Sequence, residues 1–237
     1  MKKANGILLL AILLLGASGT TPLAFAQGSQ EVDVVIRNGR VMDPETGTDA
    51  VLAVAIDQGR IVAVGADAAT RRGKREIDAR GLVVAPGFID LLARLTPEEE
   101  SQQFKVMDGV TVVLNMHGGP VNVPRYFHAF AQAGGSYIHY GTTVGHGSLR
   151  EEVGARDSYK PATREQVAQM KFLAAQALRD GAVGIGFGIN YDPGASYEEV
   201  LALFEVAAAH NVPCHLHVRY KGSVFPENFI AALQEVI

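Results

Sequence analysis

Residues 81–90 read Gly-Leu-Val-Val-Ala-Pro-Gly-Phe-Ile-Asp, and the pattern of the chain changes within this stretch. Before it, from Glu31 to Gly81, short strands follow one another through tight turns. After Pro86, apolar strands alternate with helices, which is typical of a parallel sheet whose strands are buried on both faces. The stretch therefore separates an N-terminal sheet from a longer α/β region.

Five strand–helix units are predicted in the α/β region. The predicted strands are residues 83–89, 110–116, 137–144, 183–187 and 213–218, and the predicted helices are residues 97–108, 123–133, 163–180, 196–210 and 226–237. Thr96 is the expected N-cap of the first helix, and Thr163 with Gln166 forms an expected capping box on the third. No Gly-x-Gly-x-x-Gly opens the first helix, which disfavours a dinucleotide-binding sheet.

The fold class predicted for residues 86–237 is α/β, an incomplete (β/α)₈ TIM-type barrel of about five βα units. A closed barrel of this type takes eight strands and about 250 residues. Because the chain ends inside a predicted helix, we expect the barrel to be cut short and this 237-residue chain to be inactive by itself.

The N-terminal block, residues 31–85, is predicted to be part of a small β-sandwich. Asn38-Gly39 and Gln58-Gly59 each have the composition of a two-residue hairpin turn. The basic run at residues 71–75 is expected to be a solvated loop.

Residues 1–26 have the pattern of a secretory signal peptide. Lys2 and Lys3 precede an apolar run at residues 7–15, and Ala24-Phe25-Ala26 supplies a small-x-small cleavage site. A membrane anchor is the alternative, but the run is roughly half the ~20 residues that cross a bilayer. We therefore expect a secreted or periplasmic protein with no membrane association after cleavage.

Composition narrows the range of partners. The formal net charge is −4, and removal of the two N-terminal lysines makes it more negative, which argues against nucleic acid as a partner. The single cysteine, Cys214, excludes an intrachain disulfide. Its position in an apolar run predicts a buried thiol.

Polar and imidazole side chains concentrate where the predicted strands end. In a (β/α)₈ barrel the site lies at the carboxyl ends of the strands. The residues at these ends are, in chain order, Asp90, His117, His146 with Arg150, Tyr191, and His217 with Arg219.

Two sets of segments carry a family resemblance. Residues 36–44 and the turn Pro-Gly-Phe-Ile-Asp at residues 86–90 resemble the beginning of an amidohydrolase-superfamily enzyme. Residues 145–150, 181–184, 191–194 and 217–219 are similar to the D-aminoacylase, or N-acyl-D-amino-acid (D-glutamate) deacylase, branch. The resemblance covers Glu31 to Ile237 and implies a metal-dependent hydrolase of non-peptide amide C–N bonds. The partner that it implies is a small-molecule substrate, an N-acyl-D-amino acid.

One departure from the superfamily pattern affects the metal site. The superfamily carries a metal-binding His-x-His directly after the aspartate, whereas this chain has Leu92 and Arg94, neither of which can ligate a cation. The resemblance to the D-aminoacylase branch implies one Zn²⁺ held by a strand-two residue and a strand-five histidine. Those positions are His117 and His217 here, and imidazole can replace the branch's cysteine as a zinc ligand. The third ligand and the general base are expected beyond Ile237.

The remaining candidates are predicted to bind substrate, each with a structural alternative. Tyr191 could polarise a carbonyl or bind a carboxylate. His146 and Arg150 could contact substrate or hold their loop, and Arg219, like Arg94, could bind an acidic group or form a salt bridge. His215 shares a strand face with His217 but lies deeper, as a core or supporting group.

Two other functions are left open by the sequence. The absence of His-x-His would suit a non-catalytic periplasmic relative that binds a ligand. A cyclic amide or imide would suit the same hydrolytic chemistry.

Overall fold

The computed structural model describes residues 31–222 and 228–237. The chain divides into two units, residues 1–85 and residues 86–237. The signal peptide predicted at residues 1–26 lies outside the described residues. No helix in the described part of the chain is both long enough and apolar enough to traverse a lipid bilayer.

The first unit is built on a five-stranded sheet. Its strands are β1 (Glu31–Asp43), β2 (Thr48–Asp57), β3 (Arg60–Val64), β4 (Arg72–Asp78) and β5 (Val83–Val84). The order is β3-β2-β1-β4, with β5 also paired to β1; β4 and β5 run parallel to β1, and the other pairs are antiparallel. A short helix, α1 (Ala66–Thr70), buries Ala68 against the sheet.

One of the two predicted hairpin turns is wrong. β1 continues through Asn38-Gly39, and its register with β2 shifts between Ile36 and Gly39, so the dipeptide forms a bulge. Asn38 has a left-handed φ of 61°. Because both hairpin turns and bulges use this conformation, the Asn-Gly composition could not distinguish a turn from a bulge. The Gln58-Gly59 turn is confirmed: the two φ values are 49° and 72°, and the turn joins β2 to β3.

The prediction of a solvated loop for residues 71–75 is also wrong. Most of this run belongs to β4, which pairs in parallel with β1. Its charges are accommodated at the sheet surface, where Lys74 Nζ lies 2.8 Å from a carboxylate oxygen of Asp33. A basic run can therefore form a strand when its side chains stay solvated.

The second unit has the predicted α/β character. Its strands are β6 (Phe88–Asp90), β7 (Val110–Asn115), β8 (His139–Thr142), β9 (Val144–Gly145), β10 (Ile185–Gly188) and β11 (Cys214–His217). Every pairing in the sheets β6-β7-β8 and β9-β10-β11 is parallel, and only Thr143 separates β8 from β9. The helices are α2 (Glu99–Met107), α3 (Val123–Gln132), α4 (His146–Glu152), α5 (Arg164–Arg179), α6 (Tyr197–Ala209) and α7 (Phe229–Val236).

Several element boundaries differ from the predictions. The strand predicted at 83–89 is divided: Val83–Val84 joins the first sheet and Phe88–Asp90 the second, because Pro86 cannot donate to a ladder. Helix α2 begins at Glu99, so Thr96 is not its N-cap. The capping box of α5 is confirmed, with Thr163 and Gln166 each accepting the other's backbone N–H.

The main core of the second unit lies between β9 and β10 and helices α4, α5 and α6. Leu149, Met170, Ile185, Phe187 and Leu203 are fully buried there. Each such side chain contributes about 1.5–3 kcal/mol by leaving water. This core fixes the carboxyl ends of β9 and β10, and the loop after β7 rests on those ends.

Candidate metal and substrate site

The structure brings together the two histidines predicted as metal ligands. His117 follows the end of β7, and His217 is the last residue of β11. Their ring centroids are 4.3 Å apart and their planes differ by 13°, so the imidazoles are stacked. Because β8, β9 and β10 lie between these strands in chain order, the contact depends on how the loop after β7 crosses the sheet.

Residues without side chains make that crossing possible. A Cβ added to Gly186 in β10 would lie 2.6 Å from the carbonyl carbon of His117 and 2.6 Å from the carbonyl oxygen of Met116. A Cβ on Gly145 would lie 2.7 Å from the backbone nitrogen of Gly119, and the Gly145 N–H donates to the Gly119 carbonyl at 3.1 Å. The loop of residues 116–119 therefore packs backbone to backbone on β9 and β10, which carries His117 towards β11.

The ring nitrogens of this pair suit a metal ion. Nδ1 of His117 and Nδ1 of His217 are buried and have no hydrogen-bond partner among the described residues, as is also true of Nε2 of His215. Buried polar atoms are normally hydrogen-bonded, and imidazole nitrogen is an ordinary zinc ligand. Burial, the neighbouring His217 and the charge of Arg94 lower the pKa of His117, which favours the neutral form that binds metals.

The described residues supply two ligands to such a site. No cluster of three or more histidine, cysteine, aspartate or glutamate side chains able to hold a metal occurs in residues 31–222 and 228–237. Cys214, at the start of β11, is half-buried, and burial raises the pKa of its thiol to about 11, which disfavours the ligating thiolate. His117 and His217 therefore suit two of the coordination positions of a zinc ion.

Of the two residues that replace His-x-His, Leu92 is located against the end of β7. Leu92 forms an isolated bridge with Asn115 at the end of β7, and the Met116 N–H donates to the Leu91 carbonyl at 3.3 Å. Leu92 and Arg94 are both exposed. Neither side chain offers a metal ligand.

Tyr191 lies at the rim of the site. Its ring centroid is 5.9 Å from that of His217, and the side chain is exposed. Its N–H donates to the Gly188 carbonyl at 2.8 Å, in a turn that directly follows β10. The Tyr191 side chain thus neighbours a candidate metal ligand. Substrate binding by its hydroxyl stays a prediction.

His146 and Arg150 occupy a buried network, which agrees with the structural alternative given for them, and substrate binding by either residue stays a prediction. His146 is fully buried and Arg150 is 2% exposed. The Glu199 carboxylate, also fully buried, lies 2.7 Å from His146 Nε2 and accepts a hydrogen bond from Arg150 at 2.6 Å. Arg150 also donates to the carbonyls of Asp157 and Lys160, so it holds the loop after α4 in place.

The ionisation of Glu199 stabilises this network. Burial, the largest single influence, raises the pKa of Glu199, but the hydrogen bonds and charges of His146 and Arg150 together outweigh it and lower the pKa to about 2. The sequence analysis missed Glu199. Its position three residues after the N-cap Ser196 fits an exposed first-turn carboxylate equally well.

Arg219 is likewise held by protein groups. Its Nε donates to the Glu235 carboxylate at 2.9 Å, and its other nitrogens donate to the carbonyls of Pro193 and Ala195. The side chain of Arg219 is 6% exposed and that of Glu235 is 1% exposed. The structure thus shows the salt-bridge alternative for Arg219, and substrate binding by Arg219 stays a prediction.

Comparison with known proteins supports a common ancestry. The Amidohydrolase family model matches residues 99–236. The D-aminoacylase of Alcaligenes xylosoxydans xylosoxydans is 32% identical over 87% of this chain and 48% of its own length. A crystal structure of D-aminoacylase superposes with a TM-score of 0.74 at 26% identity, covering 86% of this chain and 48% of that one.

A second solved structure adds a ligand. The structure of N-acyl-D-glutamate deacylase from Bordetella bronchiseptica, complexed with zinc and a phosphonate inhibitor, superposes with a TM-score of 0.71 at 26% identity. The superposition covers 87% of this chain and 48% of the deacylase. This chain thus spans about half the length of the relatives that it matches. With more than half of its residues matched by the family model, the chain belongs to the amidohydrolase family.

Proposed function

We propose that this chain forms part of a metal-dependent hydrolase that cleaves the amide C–N bond of an N-acylated D-amino acid. The observation that carries the proposal is the stacked pair of His117, which follows β7, and His217, which ends β11; their ring centroids are 4.3 Å apart. The names of the relatives, D-aminoacylase and N-acyl-D-glutamate deacylase, support the substrate class.

The proposal includes the architecture that would hold the site. We take the second unit as five successive strands of a (β/α)₈ barrel, with β8 and β9 counted together as one strand. We take the first unit as part of a β-sandwich. Parallel pairing throughout the second unit and the likeness to D-aminoacylase support this reading.

His117 and His217 would hold one zinc ion through imidazole nitrogen. Zinc in such a site supplies Lewis acidity, which polarises a carbonyl group and acidifies water. Leu92 and Arg94 leave the superfamily's His-x-His positions without an imidazole, which supports one ion rather than two. Burial keeps His117 neutral and ready to ligate.

The other side chains would position the substrate and the ligands. Tyr191, 5.9 Å from His217 between ring centroids, could donate its hydroxyl hydrogen bond to the substrate's carbonyl or carboxylate oxygen. The buried network of His146, Arg150 and Glu199 fixes α4 directly after β9, whose end supports the loop that carries His117.

The site would act outside the cytoplasm. The basic, apolar and small-residue segments of residues 1–26 support export to the periplasm or medium. N-terminal sequencing of the exported protein tests this: we expect a mature chain that begins after Ala26, and an uncleaved protein retained in the cytoplasm would contradict it.

Zinc binding by matched histidine variants tests the proposed centre. In the longest reading frame that contains this chain, we expect the wild type to retain about one zinc per molecule after equilibrium dialysis, and His117→Ala and His217→Ala each to lose it. His128→Ala is the control, since His128 is exposed on α3. Retention of zinc by both site variants would contradict the proposal.

Hydrolysis is to be assayed in the longest reading frame that contains this chain, because the relatives are about twice as long. N-acetyl-D-amino acids and their L enantiomers serve as substrates, with and without zinc. Undiminished amidase activity of a metal-free preparation would refute a metal-dependent mechanism. Zinc and substrate binding without turnover would instead support the non-catalytic ligand-binding alternative.

A further inference from the structure

The loop that carries Tyr191 lies against the strand of His217. We call residues 189–195, which follow β10 and precede the N-cap of α6, the Tyr191 loop. The Ile189 N–H donates to the His217 carbonyl at 3.1 Å. The Tyr191 ring fills the space of a missing side chain, because a Cβ added to Gly188 would lie 2.8 Å from its Cδ2 atom. Gly188 pairs with His217 in neighbouring parallel strands, so the ring lies on the face of the sheet that carries His217.

The Tyr191 side chain does not hold this position by itself. It is 61% exposed, and no group in residues 31–222 and 228–237 forms a hydrogen bond with its hydroxyl. Its contact with His217 is between rings, with the centroids 5.9 Å apart. The place of the ring therefore depends on the backbone of the Tyr191 loop.

Arg219, two residues after His217, binds that backbone. Its guanidinium donates to the Pro193 carbonyl at 2.6 Å and to the Ala195 carbonyl at 2.8 Å. Its Nε donates to the Glu235 carboxylate at 2.9 Å, and the two side chains of this pair are buried, where water does not compete for the hydrogen bonds. One side chain thus joins the segment of the candidate metal ligand to the part of the loop that follows the tyrosine.

The loop is also held from another side. The Gly194 N–H donates to the Ser158 carbonyl at 2.7 Å, and a Cβ on Gly194 would lie 2.1 Å from the carbonyl carbon of Tyr159. These contacts fix the loop to the segment after α4, but they do not set its distance from His217. The hydrogen bonds of Arg219 do set that distance, because they join the loop to the chain two residues after the histidine.

We infer that Arg219 is a positioning residue that holds the Tyr191 ring beside His217. A planar guanidinium presents five N–H groups in a fixed fork and can bind a carboxylate and two carbonyls at once. A lysine ammonium is a point charge on a flexible stem and cannot span these three partners in the same geometry. The inference rests on the proposed function for what the Tyr191 hydroxyl binds, whereas the placement of the ring is a separate property of the fold.

Fluorine NMR of protein labelled with 3-fluorotyrosine, together with hydrolysis of an N-acetyl-D-amino acid, tests the inference in the longest reading frame that contains this chain. The Tyr191 resonance is the one missing from Tyr191→Phe. The test variant is Arg219→Lys, which keeps a positive charge beside Glu235. Gly188→Ala displaces the Tyr191 ring directly, through the 2.8 Å contact of its new Cβ. Phe130→Leu is the control, because it weakens a buried cluster on α3 that does not include the Tyr191 loop.

We expect Arg219→Lys and Gly188→Ala to move the Tyr191 resonance towards that of free 3-fluorotyrosine, and Phe130→Leu to leave it in place. In hydrolysis, Tyr191→Phe should lower kcat/KM about tenfold, the effect of one hydrogen bond. Arg219→Lys should lower kcat/KM by a similar factor in the wild type and have no further effect in the Tyr191→Phe background, because both changes remove the same interaction.

An unmoved Tyr191 resonance in Arg219→Lys, or an equal movement in Phe130→Leu, would overturn the inference. A full additional loss of kcat/KM from Arg219→Lys in the Tyr191→Phe background would also overturn it, because Arg219 would then act by another route. If Arg219→Lys does not fold, Glu235→Gln takes its place: it removes the carboxylate that orients Arg219 and should move the resonance in the same direction by a smaller amount. No movement in Glu235→Gln would then count against the inference.

The two readouts separate this inference from the proposed function. A protein that does not hydrolyse N-acetyl-D-amino acids, but whose Tyr191 resonance moves in Arg219→Lys and not in Phe130→Leu, would sink the proposed function and leave the positioning role of Arg219 standing. Hydrolysis that depends on zinc and on the Tyr191 hydroxyl, with a resonance that ignores Arg219, would do the reverse.

Discussion

Replacing Gly186 by alanine should displace His117 without touching its side chain. The new Cβ would lie 2.6 Å from the carbonyl carbon of His117, 2.6 Å from the Met116 carbonyl oxygen and 2.7 Å from Thr143 Oγ1. Reaching 3.4 Å, where ordinary van der Waals contact begins, requires a separation about 0.8 Å larger. Two of the three obstructing atoms are backbone atoms, so the loop must move as a unit.

The displacement has two measurable consequences. Inserting a methyl group into a packed interface costs typically about 1–3 kcal/mol, so the free energy of unfolding should fall by that amount. Metal–ligand distances are tolerated only within about 0.2 Å, and disturbing the support of a ligand costs about 10–100-fold in affinity. Zinc affinity should therefore fall at least tenfold in Gly186→Ala.

The neighbouring Gly118 supplies the control. A Cβ on Gly118 would meet nothing within 4 Å, although the residue directly follows His117. Urea unfolding gives the stability, and competition with a chromophoric chelator gives the zinc affinity. If Gly186→Ala matches Gly118→Ala and the wild type in both measurements, the backbone contact does not position His117 and the reasoning is refuted.

Three further predictions concern the ligands and the buried ion pairs. Glu199→Gln should destabilise the protein by about 3–5 kcal/mol, because Arg150 is left charged and buried. The folded pKa of Glu199, about 2, is below its ordinary 4.5, so the stabilisation is present above 4.5 and lost as the pH falls towards 2; urea midpoints should show this loss in the wild type and not in the variant. Glu235→Gln should likewise lower the urea midpoint, by leaving Arg219 unneutralised, whereas Glu205→Gln, which removes an exposed pair with Lys171, should change stability by under about 1 kcal/mol. His117→Cys should retain zinc in dialysis, where His117→Ala loses it, since thiolate and imidazole both ligate zinc.

Each of these three predictions has its own contradicting result. A pH dependence that is identical in Glu199→Gln and the wild type would remove Glu199 as its source. Equal effects of Glu235→Gln and Glu205→Gln would mean that burial of the Arg219 pair has no energetic consequence. Loss of zinc from His117→Cys would argue against direct ligation at that position.

The sequence predicted that His117 and His217 lie together because both stand at the carboxyl end of a predicted strand, which is where a barrel of parallel strands gathers its site. Alternation of apolar strands and capped helices is a local signal, and the elements that it predicts lie within a few residues of those in the structure. The stacking contact itself also needs the loop after β7 to pack on β9 and β10, which no local signal indicates.

What the sequence could not supply depends on contacts between distant segments. Glu199 reads as a first-turn carboxylate, and only the approach of α4 buries it against His146 and Arg150. Gly186 reads as one more glycine in a strand until the loop after β7 lies across it. Such roles are set by three-dimensional packing over separations of tens of residues.

X-ray absorption at the zinc K edge of the zinc-loaded protein tests the central claim most directly. Imidazoles of His117 and His217 bound to one ion should give zinc–nitrogen distances of about 2.0–2.1 Å with the outer-shell scattering of two rings. His117→Ala and His217→Ala should each remove one ring from the spectrum or release the zinc, while His128→Ala should change nothing. A spectrum without imidazole scattering, or one unchanged by both site variants, would contradict the account.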